Sequence, residues 1–173
     1  SRGLGDVYKR QELAIVDNYE AGYQSALMVP TSVLAMQHFE KIKRDLSPIG
    51  IEVALLTGSM KRNEQDSVRN SMITGETDLV IGTHSLIQEG VEFKNLGLVV
   101  VDEQHRFGVK QRENLTSKGS LLDSLVMTAT PIPRTLALTA YGDLDISTIL
   151  TMPKGRTPVR TILLARSRLR ELY

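Results

Sequence analysis

Five short apolar runs, each followed by a longer polar stretch, constrain this chain more than any other feature of its sequence. They are Ser25-Ala26-Leu27-Met28-Val29, Val53-Ala54-Leu55-Leu56-Thr57, Leu79-Val80-Ile81-Gly82, Leu98-Val99-Val100-Val101-Asp102 and residues 122–128. The runs are continuous rather than alternating, which suits strands buried on both faces of a parallel sheet. The stretches between them carry helical periodicity. Thr31 or Ser32 can cap a helix in which Ala35, Phe39, Ile42 and Leu46 form one stripe, and Ser47-Pro48-Ile49-Gly50 stops it. A second helix is predicted over residues 61–74, with a thin face of Val68 and Met72 and with Gly75 after it. Two more are predicted over residues 109–118 and 133–141, the last opening on Pro133. Strand–helix alternation of this kind predicts an α/β fold: a mostly parallel sheet, right-handed crossovers and helices on both faces.

Composition narrows the function classes. At 173 residues and 41% hydrophobic content the chain can bury a core, so full disorder is excluded. With no cysteine, disulfide scaffolds and cysteine zinc sites are excluded too. A net charge of +1 argues neither for nor against a nucleic-acid partner, because a local basic groove can sit on a neutral protein. No apolar run approaches the roughly 20 residues that would span a bilayer. The opening residues, with Arg2, Asp6, Lys9 and Arg10, do not read as a signal peptide. The expectation is a soluble, cytoplasmic protein without a membrane partner. Nothing in the sequence sets an oligomeric state.

The chemistry-bearing residues follow the runs. Asp102 and Glu103 stand at the carboxyl end of the fourth run, where ligands bind in open α/β sheets. Adjacent acids there suit magnesium beside a polyphosphate: Asp102 would coordinate the ion and Glu103 would activate the attacking water. Alone, the pair would equally fit a solvated acidic turn; Gln104 and His105 directly behind it sharpen the functional reading. Thr128-Ala129-Thr130-Pro131 ends the fifth run, and its hydroxyls can bond an adjacent acidic loop, although an ordinary Thr-Pro turn reads the same. Val29-Pro30-Thr31 ends the first run and opens a helix whose free N–H groups can meet a backbone phosphate; Thr31 can also simply cap it. Thr57-Gly58-Ser59 and Gly82-Thr83-His84 repeat the pattern. Four such sites at one sheet edge would make a surface. His38, His84 and His105 lack a zinc spacing, so hydrogen bonding suits each better than ligation, and His105 is the one expected near the acids.

These residues resemble the first motor domain of superfamily 2 helicases and translocases. The stretch IQEGVEFKNLGL at residues 87–98, leading into DEQHRFG at 102–108, is similar to RecG-type branched-DNA helicases in particular. TATPIPRTLAL at 128–138, Ala140-Tyr141-Gly142-Asp143-Leu144 and Gly155-Arg156-Thr157-Pro158-Val159 fit the same family, and the match covers roughly residues 21–164. Transcription-repair coupling translocases, the near alternative, usually carry Glu where Gln104 stands. The resemblance implies a RecA-like P-loop NTPase fold that binds ATP and Mg2+ between two motor domains and crosses branched DNA. By it, Asp102, Glu103, Gln104 and His105 form motif II, and Thr128, Ala129 and Thr130 form the coupling motif III. Pro30 and Thr31 fall in motif Ia and Thr57, Gly58 and Ser59 in motif Ib, with Thr83 and His84 also facing DNA. Arg134 would contact nucleic acid or a neighbouring domain, or stand solvated at a helix start.

The sequence departs from the family at one place. No Gly-Lys-Thr or Gly-Lys-Ser occurs anywhere, and after Gly5-Asp6-Val7 comes Tyr8-Lys9-Arg10, without the glycines that let a backbone wrap a phosphate. The usual first strand and phosphate loop are therefore expected to be lacking. Either residues 1–11 are foreign to a genuine fragment, or the chain is an ATP-dead relative acting as a nucleic-acid-binding module. The first is favoured, because the resemblance resumes near Ala21 with the acids intact. The expected division is a leader over 1–11, the helicase ATP-binding domain over 12–152, and a linker with the start of a second motor domain over 153–173. On either explanation this polypeptide should bind ATP poorly.

Overall fold

The computed structural model describes residues 5–87, 90–102, 122–128 and 147. The elements run α1 (Gly5–Glu20), β1 (Gln24–Met28), α2 (Ser32–Leu46), β2 (Val53–Leu56), α3 (Arg62–Thr74), β3 (Leu79–Gly82), β4 (Leu96–Val101) and β5 (Asp123–Val126). Single 310 turns stand at Ser47–Ile49 and His84–Ile87. Each predicted run supplies one strand. The strands form a single sheet in the order β2-β3-β1-β4-β5, and every pairing is parallel.

Continuous apolar runs place side chains on both faces, and both faces are covered. Leu27, Val53, Leu79, Ile81, Leu98 and Val100 pack with Ile15 of α1 and with Ala35, Ile42 and Leu46 of α2. Ala26, Met28, Leu56, Val80, Val99 and Val101 pack on the opposite face with Met72 of α3 and with Leu86 and Val91. Helices on two faces of a parallel sheet are the predicted fold class.

The helix signals read from the sequence act where expected, with one addition. Thr31 is extended, at φ −135° and ψ 152°, and its hydroxyl accepts the Leu34 N–H, so it caps α2. The α3 chain leaves through Gly75, whose φ of 81° favours glycine and whose N–H bonds Ser71. The buried stripe of α2 is Ala35, His38, Ile42 and Leu46; Phe39, expected in it, is only half-buried. Phe39 still packs against the same core from the edge of the stripe, and His38 is added to it.

Two boundaries also shift. β4 starts at Leu96, two residues ahead of its run, because Asn95 and Gln24 clamp its entry. The Gln24 N–H donates to the Asn95 carbonyl at 2.7 Å, and the Asn95 N–H donates to the Gln24 side-chain oxygen at 3.0 Å. At the other end of the chain, α1 starts at Gly5, inside the segment expected to be a leader. Gln11 and Ile15 on it are each 1% exposed, and Glu12 meets Lys41 of α2 at 3.3 Å. Among the described residues no strand precedes α1, and Gly5 to Arg10 is helical rather than a loop around a phosphate. The predicted helices over 109–118 and 133–141 lie outside the described residues. Among the described residues, no helix is long and apolar enough to cross a membrane.

Candidate functional site

The pairing register decides which residues share a rim. Met28 stands opposite both Gly82 and Val101, Leu56 opposite Gly82, and Val101 opposite Val126. The five strands therefore finish level at their carboxyl ends. Across that rim come Thr57 after β2, Thr83 after β3, Val29-Pro30-Thr31 after β1, Asp102 after β4 and Met127-Thr128 after β5. The segments that the sequence singled out separately stand side by side. Asp102 shares its rim with Thr31 and Thr128.

Backbone bonds extend the ladders one residue past the strands and fix these positions. The Val29 N–H donates to the Gly82 carbonyl at 2.9 Å, the Asp102 N–H to the Met28 carbonyl at 3.0 Å, and the Met127 N–H to the Val101 carbonyl at 2.9 Å. Asp102 is thus bound by its backbone to the central strand, and its side chain retains 25% exposure. A carboxylate so held is anchored yet open to a ligand.

The rim divides into contacting and supporting side chains. Thr57 and Thr83 are each 3% exposed. Their hydroxyls bond Ser59 at 3.1 Å and Ser85 at 3.3 Å, and Ser85 donates onward to the Leu56 carbonyl at 2.7 Å. These two threonines shape their loops, while Gly58, Ser59 and His84 are the exposed members. A Cβ on Gly82 would run into the Leu56 carbonyl oxygen, so only glycine lets the β2 and β3 exits approach this closely. Pro30 and Thr31 are half-exposed at the head of α2. Glu103, Gln104, His105, Ala129, Thr130 and Arg134 lie outside the described residues.

One neighbour of the acid was not anticipated. His38 is 2% exposed on the inner face of α2, and its Nε2 lies 3.5 Å from Asp102 Oδ2. The sequence reading placed His105, not His38, beside the acids. Helical spacing held the signal, because His38 is in register with Ala35, Ile42 and Leu46. A cavity of about 480 Å3 lined by Asp17, Asn18, Tyr23, Gly97 and Asp123 lies at the opposite rim, where the strands begin, and is no part of this site.

The site can be tested against the ion and nucleotide that the resemblance implies. Asp102 offers a hard oxygen donor, and among the described residues no group of three or more His, Asp or Glu gathers to hold a metal. A single carboxylate fits magnesium, which commonly takes one or two protein acids and completes its shell with phosphates and water. For the triphosphate the fit is incomplete, since the sequence holds no Gly-Lys-Thr or Gly-Lys-Ser and, among the described residues, the chain from Gly5 is already helical.

A parallel sheet presenting an acid and hydroxyl residues along one rim defines a class, and comparison with known proteins names it. The DEAD/DEAH box helicase family model matches residues 10–139, and the chain belongs to that family. More particularly, the chain is 56% identical over 162 residues to the ATP-dependent DNA helicase RecG of Thermotoga maritima, covering 94% of this chain and 21% of that protein. It is 57% identical over 149 residues to the RecG of Streptococcus pneumoniae, covering 86% of this chain and 22% of that protein. A solved structure of RecG bound to a three-way DNA junction matches with a TM-score of 0.79 and 51% identity, over 94% of this chain and 22% of that one. The RecG-type resemblance read from the motifs is borne out. It also reaches further back than Ala21, because the family match begins within α1. The chain spans about a fifth of the length of these relatives.

Proposed function

We propose that this chain is part of the first motor domain of an ATP-dependent DNA helicase that remodels branched DNA in replication, recombination and repair. The level strand ends carry the reading: they bring Asp102 beside Thr31 and Thr128 in a chain that is 56% identical to a RecG helicase. Asp102 would hold magnesium, which when bound would supply charge neutralisation for the phosphate oxygens of the nucleotide. Glu103 orients and deprotonates the attacking water, and Gln104 and His105 complete its loop. Thr128, Ala129 and Thr130 pass the state of that loop to the DNA side. There Pro30, Thr31, Gly58, Ser59 and His84 meet the strand, with Thr57 and Thr83 holding their loops in shape. Arg134 contacts DNA or an adjoining domain. ATP would be bound between this domain and a second motor domain of the same parent, working in the cytoplasm.

One sequence observation favours a second reading. The chain carries no Gly-Lys-Thr or Gly-Lys-Ser, so a nucleic-acid-binding module without turnover is the alternative. DNA-stimulated phosphate release by the longer parent protein, assayed on forked and on linear duplex DNA, separates the two. The motor reading expects fork-stimulated release by the parent and little nucleotide binding by this chain alone. DNA binding by the parent without any release would establish the module instead. Release that required an RNA-polymerase-binding domain would point to a transcription-repair translocase.

A further inference from the structure

We propose that His38 is a positioning residue for Asp102, tying the magnesium-holding carboxylate to the helix that opens at the DNA-facing Thr31. The inference rests on the reading of Asp102 given above and extends it to a residue outside the motifs.

A polar ring buried among hydrocarbon costs free energy unless a polar partner offsets it. His38 is buried between Ala35 and Ile42 on the inner stripe of α2, and the carboxylate it faces is that of Asp102, at 3.5 Å. A core position would be filled more favourably by an apolar side chain, as Ala35, Ile42 and Leu46 illustrate. With its proton on Nε2 the imidazole donates toward Asp102 Oδ2. The backbone of Asp102 is already fixed through its N–H to Met28 at 3.0 Å. The ring then adds a restraint on the rotation of the carboxyl group.

The placement along α2 gives this contact a further consequence. His38 stands seven residues after the Thr31 cap, about two turns or roughly 10 Å along one rigid helix. A shift of α2 when DNA engages its head would move the ring against Asp102. The contact is thus a direct mechanical route between the two sides of the rim, independent of the Thr128 segment. Groups that orient metal ligands in this way change metal affinity or activity by roughly 10- to 100-fold when removed.

The test uses the longer parent protein with Mn2+ as the probe, read by electron paramagnetic resonance in the presence of a non-hydrolysable ATP analogue. His38→Ala is expected to weaken Mn2+ binding roughly 10- to 100-fold while leaving metal-free nucleotide affinity unchanged. His38→Gln keeps an N–H donor of similar reach and should recover most of that loss. Ile42→Ala, one turn further along the same stripe, should lower the melting temperature and leave Mn2+ affinity alone. The proposal is overturned if His38→Ala binds Mn2+ like the wild type, or if Ile42→Ala weakens it equally. Failure of the underlying motor reading would show separately, as a wild-type parent that takes up no Mn2+ with the nucleotide.

Discussion

Thr31 serves the fold and the proposed function at once, and substitution can separate the two. Its hydroxyl accepts the Leu34 N–H at 3.3 Å, while its carbonyl accepts the Ala35 N–H at 2.9 Å. Thr31→Ala removes only the first bond. Loss of a cap costs about 1 kcal/mol, and the length of this bond argues against the upper end of the measured range. With a urea slope of about 2 kcal/mol per molar, the unfolding midpoint of this chain should fall by about 0.5 M. Thr31→Ser retains the acceptor and should unfold like the wild type. Thr31→Asp also retains it, and its charge at a helix amino end adds about 0.3 to 1 kcal/mol. Against a DNA phosphate the same charge is repulsive. At about 4 Å the penalty is about 1 kcal/mol even in bulk water, or roughly fivefold in Kd. Urea unfolding of the chain and fork binding by the parent in low salt should therefore rank the variants differently. Equal stability of Thr31→Ala and wild type would refute the cap. Wild-type DNA affinity in Thr31→Asp would refute a phosphate at the head of α2.

Gln24 donates to the Met72 and Thr77 carbonyls at 3.0 and 2.6 Å and accepts from Asn95. The Met72 carbonyl keeps its bond from the Lys94 N–H and Asn95 reaches water, so Gln24→Leu should cost one buried unpaired carbonyl, about 2 kcal/mol, seen as a midpoint shift of about 1 M urea. Gly82→Ala drives a methyl into the Leu56 backbone and the Leu86 side chain; a loss of about 2 kcal/mol or more is expected, and a melting curve superimposable on wild type would disprove the close approach. In the parent, Glu103→Gln should preserve nucleotide binding and reduce turnover by at least about 100-fold, and wild-type phosphate release would discard Glu103 as the base.

The strands were legible because hydrophobic continuity is a local property: β2 and β3 begin at the first residues of their runs, Val53 and Leu79. What local pattern omits is pairing. β4 begins at Leu96 because Gln24, remote in sequence, clamps Asn95, and no periodicity announces that. The strand order is likewise a tertiary outcome, yet the rim did not need it. Residues after the ends of parallel strands face the same way, so Thr31, Thr57, Thr83, Asp102 and Thr128 could be grouped in advance. His38 was given a hydrogen-bonding role but not a place beside Asp102, because a stripe of Ala35, Phe39, Ile42 and Leu46 looks complete in hydrocarbons and the carboxylate 3.5 Å from its ring comes from a remote strand end. The opening of α1 was hidden by a sequence, Tyr8-Lys9-Arg10, that suits neither a phosphate loop nor an obvious amphipathic helix.

The place of β1 has a mechanical consequence. It is hydrogen-bonded on both sides, to β3 and to β4, and all five of its residues are buried. Sliding it would break two ladders at once and unpack both layers of helices, so the sheet behaves as an anvil. On the motor reading proposed above, any working stroke would be taken up by the short spans leaving it, among them Val29-Pro30, whose Val29 N–H bonds the Gly82 carbonyl. Force generated beside Asp102 would arrive at α2 as a tilt about that span, with little lost to deformation of the platform beneath.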